Sequence, residues 1–286
     1  MVWARATASP SAVPFRLTPG QQRALAGIWG DMRQERPMQR LLQGDVGSGK
    51  TIVALLAALA AAGNGFQAAM MAPTEILAAQ HAERAAALAG PLGLPVVHLH
   101  GGLSAAARRA ALARLAGEAP CLAIGTHALL QPDVAFGKLG FVVVDEQHRF
   151  GVLQLAELMR KGRAPDVLVM SATPIPRSLA LVLYGDLDLS VIHDMPPGRR
   201  SVATTWVEEA DRAKVEDELL ARLARGERIY VVCPAVEESA AELTAAVRTA
   251  EAYRRGRLGR FGVGLVHGRL PAAEKLAAVE AFRRGA

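Results

Sequence analysis

The sequence predicts an α/β fold in which helices flank a parallel sheet. Short apolar runs alternate along the chain with longer segments of helical periodicity, and this alternation is typical of βαβ units. Several of the apolar runs contain no polar residue, as in strands that helices cover on both faces. With 286 residues, the chain is long enough for two domains.

The apolar runs and the periodic segments define the individual elements. The predicted strands are Gln67–Ala72, Val96–His100, Cys121–Gly125, Phe141–Val144, Val167–Ser171, Val202–Val207, Arg228–Cys233 and Val263–His267. The predicted helices are Ile76–Ala89, Ser104–Ala116, Asp211–Ala224, Ala272–Arg283 and one that begins near Lys50. The last of these contains the Ala-rich run Ile52–Ala62, which is too short to span a membrane and indicates a buried helix.

A domain boundary is predicted at Met195–Ser201, where two prolines and a glycine cannot continue a helix and suit a linker. We therefore expect an unstructured lead-in at 1–14, a first domain at 15–195, a linker at 196–201 and a second domain at 202–286. Only about three β–α pairs fit into the second domain, so we expect it to be incomplete.

The composition excludes several classes of protein. A hydrophobic content of 51% with 21% charged residues excludes a disordered or fibrous chain. Two cysteines are too few for a disulfide scaffold and indicate a reducing compartment. The formal charge of +6, with 28 arginines among the 33 basic residues, permits a nucleic-acid partner without requiring one.

The strongest chemical signal is Gly44–Thr51 (GDVGSGKT), which matches the phosphate-loop pattern G-x-x-x-x-G-K-[ST]. Its glycines let backbone N–H groups approach phosphates with no Cβ in the way. In such a loop Lys50 reaches the β- and γ-phosphates, and the Thr51 hydroxyl ligates Mg²⁺. The residues predicted to contact the nucleotide here are Gly44, Gly47, Ser48, Gly49, Lys50 and Thr51. The alternative, an accidental glycine-rich turn, is disfavoured by the apolar helix that follows.

The second signal is Asp145-Glu146-Gln147-His148, directly after the strand Phe141–Val144. A carboxylate at a strand end beside a phosphate loop can hold a hydrated Mg²⁺, which is the role predicted for Asp145. Glu146 is predicted to orient and polarise the attacking water. Alone, this segment is more simply an acidic turn. The phosphate loop upstream favours the catalytic interpretation.

Three weaker signals accompany these two. Thr18-Pro-Gly-Gln21 predicts a capped helix start, and the Gln21 amide can also bind an adenine edge through its paired donor and acceptor. Ala72–Glu75 and Gly125–His127 each close a strand with a hydroxyl, which suits contact with a phosphodiester backbone or an ordinary capped turn. Ser171–Arg177 follows another strand, and its hydroxyls can couple the nucleotide site to a domain movement.

His98, His100 and the two cysteines are interpreted as structural. His98 and His100 flank one leucine on a strand, and no third metal ligand is apparent. Cys121 and Cys233 lie in apolar strands and are predicted to be core residues, not nucleophiles.

Taken together, these segments resemble the motor of superfamily 2 helicases, and within it the RecG-type branch-migration DNA helicases. The resembling segments are GDVGSGKT (Gly44–Thr51), APTEILAAQH (Ala72–His81), IGTHALL (Ile124–Leu130), DEQHRFG (Asp145–Gly151), SATPIPRSLA (Ser171–Ala180), YGDLDLSVI (Tyr184–Ile192), MPPGRR (Met195–Arg200) and VGLVHGRL (Val263–Leu270). The phosphate loop alone indicates only an NTPase, whereas DEQHRFG together with SATPIPR is far more specific.

The resemblance implies an ATP- and Mg²⁺-dependent motor with RecA-like domains, acting on forks and Holliday junctions in DNA repair and recombination. The residues it assigns to ATP binding and hydrolysis are Phe15, Gln21, Lys50, Thr51, Asp145 and Glu146. Those in DNA-contacting segments are Thr74, Thr126 and His127. Those that link hydrolysis to movement are Gln147, His148, Ser171 and Thr173. We also expect a monomer in the bacterial cytoplasm, at the nucleoid and away from membranes.

The chain departs from the family pattern at both ends. By the resemblance, we expect the given chain to lack the family's long N-terminal region with its wedge domain and the segments that supply arginines across the interdomain cleft. We therefore expect a fragment with little DNA-stimulated hydrolysis. Two alternatives stay open: a transcription-repair coupling translocase, which usually has Glu at the position of Gln147, and a nucleotide-binding interaction protein without catalysis. A kinase-type phosphate-loop enzyme is disfavoured by the ordered strand-end motifs.

Overall fold

The computed structural model describes residues 16–145, 152–173, 187–195, 202–233 and 240–285. The chain divides into two compact units, Met1–Arg199 and Arg200–Ala286. The expected lead-in at 1–14 and linker at 196–201 lie outside the described residues, and so do the candidate site residues Phe15, Glu146, Gln147 and His148.

The first unit is built on a seven-stranded sheet whose neighbouring strands all pair in parallel. The strands are β1 (Gln39–Gly44), β2 (Gln67–Met71), β3 (Val96–Leu99), β4 (Cys121–Gly125), β5 (Leu139–Val144), β6 (Asp166–Ser171) and β7 (Asp188–Ile192). Their order across the sheet is β3-β4-β2-β5-β6-β1-β7. The predicted α/β fold with a parallel sheet is therefore confirmed, together with the strands predicted for β2 to β6.

Strands β1 and β7 were not predicted from the apolar runs. β1 has the sequence QRLLQG, in which only Leu41 and Leu42 are buried hydrophobic residues. The strand forms because it pairs on both sides, with β6 through Leu41–Val169 and with β7 through Leu41–Leu189. Such pairing in the assembled sheet outweighs the local β propensity of the segment.

The helices of the first unit flank the sheet, and all but α5, for which no helix was predicted, match predicted positions. They are α1 (Pro19–Met32), α2 (Lys50–Gly63), α3 (Glu75–Ala89), α4 (Ala105–Ala116) and α5 (Val152–Arg160). α2 is buried almost throughout, as expected for the run Ile52–Ala62. In the parts of the chain that the structure describes, no helix has the length and apolar character needed to cross a membrane.

Gln67 ties the start of β2 to the loops around it. The residue is fully buried; its Nε2 donates to the carbonyls of Leu115 and Gly117 at 2.9 and 2.7 Å, and its Oε1 accepts from the Lys138 N–H at 2.9 Å. One side chain therefore satisfies backbone groups of two segments, the end of α4 and the residue before β5, and holds both against the amino end of β2.

Replacing Gln67 by leucine is expected to lower the free energy of unfolding by about 2–4 kcal/mol, since each buried polar group left without a partner costs roughly 1–3 kcal/mol. Urea unfolding followed by circular dichroism measures this loss. The matched control is Gln34→Leu at an exposed position. Equal stability of the two variants would contradict the prediction.

The second unit contains three described helices, α6 (Arg212–Ala224), α7 (Ala240–Arg255) and α8 (Ala272–Arg284). The strands predicted at Val202–Val207, Arg228–Cys233 and Val263–His267 are wrong, because those residues form no strand in the structure. Trp206 and Val232 within them are 82% and 84% exposed. A β conformation is stabilised by cross-strand pairing and by burial of one face. None of these three segments is paired, although alternate residues of Val263–His267 are half-buried.

Candidate functional site

The candidate site lies at the carboxyl edge of the sheet in the first unit. The phosphate loop follows β1, Ser171 ends β6, and Asp145 follows β5. Both β1 and β5 pair with β6, so their ends are separated by about 10 Å, twice the spacing of neighbouring strands. The carboxyl edge of an open α/β sheet is where such folds bind ligands, and the spacing suits a phosphate chain with its metal.

The phosphate loop is shaped by its glycines. Gly47 and Gly49 have φ of +85° and +88°, which is the left-handed region that glycine enters without a steric penalty. Gly49 is also the N-cap of α2, and no side chain caps this helix end. The N-terminus of α2 is therefore available to an anion, which the N–H groups and the helix dipole favour.

Two side chains of the loop show what it can bind. Lys50 is buried, and its Nζ donates to the carbonyls of Gly44 and Asp45 at 2.6 and 3.2 Å, so its charge is held inside the loop. The Ser48 hydroxyl is buried without a hydrogen-bond partner among the described residues. A buried hydroxyl in that state fits a loop that receives a polar ligand.

Gln21 lies against the phosphate loop. Its Oε1 accepts from the Thr18 N–H at 2.9 Å and completes a capping box at the start of α1, and its Nε2 donates to the Ser48 carbonyl at 2.8 Å. The capped helix start predicted at Thr18 is thus confirmed. The binding of an adenine edge by Gln21 stays a prediction, because both ends of its amide hold protein groups here.

Asp145 carries the only carboxylate of the predicted acidic pair that the structure describes. It is buried, its N–H donates to the Met71 carbonyl at 2.9 Å, and its Oδ2 is 2.8 Å from Nε2 of His81. His81 is buried on α3. No functional role was predicted for His81, although a histidine among the alanines of that helix was the signal that could have identified it.

The donors present fit a hydrated Mg²⁺ next to a bound nucleotide. Mg²⁺ keeps several waters and takes one or two carboxylates together with substrate phosphates. Asp145 supplies a carboxylate, and the partly exposed Thr51 supplies a hydroxyl from the first turn of α2. Within the described part of the chain no cluster of three or more His, Cys, Asp or Glu could hold a metal, so a metal would depend on the phosphates and waters for its other ligands.

Ser171 and Thr173 form a small hydrogen-bonded turn between the two halves of the site. The hydroxyls of Ser171 and Thr173 are 3.1 Å apart, and the Thr173 N–H donates to the Ser171 hydroxyl at 3.2 Å. Gln43, just before the phosphate loop, donates from Nε2 to the Thr173 carbonyl at 3.1 Å. The turn predicted to couple the nucleotide to movement is therefore bonded directly to β1.

The residues predicted to contact DNA lie further along the same edge. Thr74 follows β2 and Thr126 follows β4, and β2 and β4 are paired neighbours. Thr74 caps α3 by accepting from the Leu77 N–H, Thr126 is buried, and His127 is exposed. The order along the edge is thus Thr126, Thr74, Asp145, Ser171 and the phosphate loop.

The other titratable groups singled out in the sequence lie apart from the loop and Asp145. Burial raises the pKa of the Cys121 thiol, which suits the predicted core position and disfavours a nucleophile. Burial, together with the charge of His100, lowers the pKa of His98, and Glu75 opposes this in part. The two imidazole centroids are 4.6 Å apart, so these histidines pack against one another.

Comparison with known proteins identifies the family. A model of the DEAD/DEAH box helicases matches residues 18–182. An ATP-dependent DNA helicase RecG from Synechocystis sp. is 48% identical over 273 residues, which are 95% of this chain and 33% of that protein. RecG of Escherichia coli (strain K12) is 45% identical over 281 residues, 96% of this chain and 40% of that protein. The chain thus spans between a third and two fifths of the length of these relatives.

Solved structures agree with the sequence relatives. RecG bound to a three-way DNA junction superposes with a TM-score of 0.75 at 42% identity, over 96% of this chain and 36% of that one. Mss116p bound to single-stranded RNA and AMP-PNP superposes with a TM-score of 0.69 at 18% identity, over 94% of this chain and 58% of that one. This second similarity supports the fold alone. The predicted RecA-like fold class and the resemblance to RecG-type helicases are confirmed. The chain belongs to the DEAD/DEAH box helicase family.

Proposed function

We propose that this chain is the nucleotide-binding part of an ATP-dependent motor that moves on branched DNA in repair and recombination. The observation that carries the proposal is the shared edge of the sheet. A phosphate loop with a buried lysine and a buried carboxylate lie at the ends of β1 and β5, two strand spacings apart. The similarity to RecG proteins, of which one was solved on a three-way junction, supports branched DNA as the partner.

Different residues of the chain bind the phosphates, the metal, the attacking water and the base of ATP. Lys50 holds positive charge inside the loop for the β- and γ-phosphates, and the uncapped start of α2 adds N–H donors. Thr51 and Asp145 hold Mg²⁺, which when bound neutralises charge on the phosphates. Glu146 orients the attacking water, and Phe15 with Gln21 positions the base. The bond from Gln21 to the Ser48 carbonyl keeps base and phosphate recognition in one unit.

In this proposal the DNA strand contacts the carboxyl edge of the sheet at the ends of β2 and β4, away from the phosphate loop. Thr74 lies beside Asp145, and Thr126 lies at the next strand end, followed by the exposed His127. Hydroxyls and a nearby imidazole suit contacts to phosphate oxygens that carry no sequence information. Ser171, Thr173, Gln147 and His148 link the nucleotide to movement, supported by the bond from Gln43 to the Thr173 carbonyl. We further propose that the protein acts as a monomer in the bacterial cytoplasm.

Titration of a fluorescent ATP analogue with Mg²⁺ tests the proposal. The chain is expected to bind the analogue. Lys50→Ala is expected to lower the affinity for the analogue at least 10-fold, since a charge-assisted hydrogen bond contributes about 1.5–3 kcal/mol. The matched control is Lys214→Ala, whose side chain is 81% exposed in the second unit. Equal affinity of wild type and Lys50→Ala would refute the nucleotide site. The preference for branched DNA is then tested by measuring whether a model fork displaces bound single-stranded DNA from the protein.

A further inference from the structure

The buried pair His81–Asp145 joins helix α3 to the predicted metal carboxylate. Nε2 of His81 is 2.8 Å from Oδ2 of Asp145, and the side chains are 4% and 10% exposed. A carboxylate only accepts hydrogen bonds, so Nε2 is the donor. His81 therefore occupies Oδ2 and leaves Oδ1 of Asp145 for another ligand.

The surroundings of His81 show that its imidazole is not needed for packing alone. The buried face of α3 consists otherwise of Ala78, Ala82, Ala85, Leu88 and Ala89. A polar ring in such a face costs free energy unless it is hydrogen-bonded. Nδ1 is buried and has no partner among the described residues, so the bond to Asp145 is what offsets that cost.

The second end of the pair is fixed equally firmly. The Asp145 N–H donates to the Met71 carbonyl, which extends the pairing of β5 with β2 past the end of the strand. The backbone of Asp145 is thus held by β2 and its carboxylate by α3. The rotation of the carboxyl group depends on His81 alone among the contacts described.

We infer that His81 is a positioning residue, which holds the Asp145 carboxylate in the orientation that receives hydrated Mg²⁺ in the nucleotide complex. The inference rests on the proposed function. Groups that orient a metal-binding side chain through a hydrogen bond typically change metal affinity 10- to 100-fold when they are removed. A packing role for His81 would change stability without changing the requirement for Mg²⁺.

The test measures the affinity of a fluorescent ATP analogue across an Mg²⁺ titration and in EDTA, together with thermal unfolding. His81→Leu is expected to raise the Mg²⁺ concentration for half-maximal affinity roughly 10- to 100-fold, with the affinity in EDTA unchanged. His81→Gln, whose amide nitrogen reaches as far as Nε2, is expected to restore most of the Mg²⁺ response. His81→Asn, one methylene shorter, is expected to fail.

The outcomes separate this inference from the proposed function. The inference would be overturned if His81→Leu required the same Mg²⁺ concentration as wild type. It would also be overturned if His81→Leu lost nucleotide affinity equally in EDTA and in Mg²⁺. If His81→Leu does not fold, the difference between His81→Gln and His81→Asn decides the same question. Lys50→Ala serves as the reference: if it matches wild type in both conditions, the nucleotide site itself is refuted.

Discussion

Gly49→Ala is expected to abolish high-affinity nucleotide binding and to destabilise the first unit. Gly49 has a φ of +88°, and an alanine held there costs about 1 kcal/mol or more. Its Cβ would also overlap Nε2 of Gln21. Gln21 can move only by giving up its bonds to the Ser48 carbonyl and the Thr18 N–H, so the substitution releases the loop and the start of α1 together.

Binding of a fluorescent ATP analogue and urea unfolding measure the two consequences of Gly49→Ala. The matched control is Gly30→Ala in α1, where an added Cβ meets nothing within 4 Å. That variant is expected to bind the ATP analogue normally. Its free energy of unfolding is expected to rise by up to about 1 kcal/mol, since alanine is the better helix former. Wild-type affinity in Gly49→Ala would show that the left-handed turn and the contact with Gln21 do not shape the site.

The phosphate loop was predictable because its chemistry depends on a short, contiguous pattern. Gly47 and Gly49 act through their left-handed backbone conformation, and Lys50 acts through a local bond from Nζ to the Gly44 carbonyl. Both features are encoded within the motif itself. The capping box at Thr18 and the buried strands are local in the same sense. These features therefore required no knowledge of which strands become neighbours.

His81 was missed because its role depends on a partner far away in the sequence. The bond to Asp145 joins residues 64 positions apart, and it exists only because β2, which leads into α3, pairs with β5. β1 and β7 were missed for a similar reason, since pairing in the sheet, not their own composition, makes them strands. Local patterns predict what a segment can form, and non-local pairing decides which of these segments meet.

In the second unit the prediction erred in the opposite direction, because strands were predicted that do not form. Val202–Val207 and Arg228–Cys233 have the apolar, β-branched composition of strands, but the structure pairs neither of them. Tyr230, within the second segment, instead packs on Phe282 of α8 with ring centroids 4.2 Å apart. A high β propensity without a partner strand therefore leaves these segments outside regular secondary structure, with exposed apolar side chains.

Phe141→Ala is expected to cost the first unit about 3–5 kcal/mol of unfolding free energy, the usual range for removing a buried aromatic side chain. Phe141 is fully buried in β5, between its partners Ala68 on β2 and Asp166 on β6. Small neighbours such as Ala68 cannot expand into the space left behind, so the cavity persists and the loss is large. Since whole domains have only about 5–15 kcal/mol of stability, this change removes a major share.

Urea unfolding with an unchanged m-value is the measurement, because a changed m-value would indicate an altered denatured state instead. Leu92→Ala, at a position that is 45% exposed, is the control and is expected to change the stability by no more than about 0.5 kcal/mol. A loss below about 1 kcal/mol for Phe141→Ala would contradict a packed centre around β5. Because Asp145 directly follows β5, the same variant also tests whether the position of the carboxylate depends on that packing. We expect that it does not, so the nucleotide affinity of Phe141→Ala should fall only at urea concentrations where the variant begins to unfold.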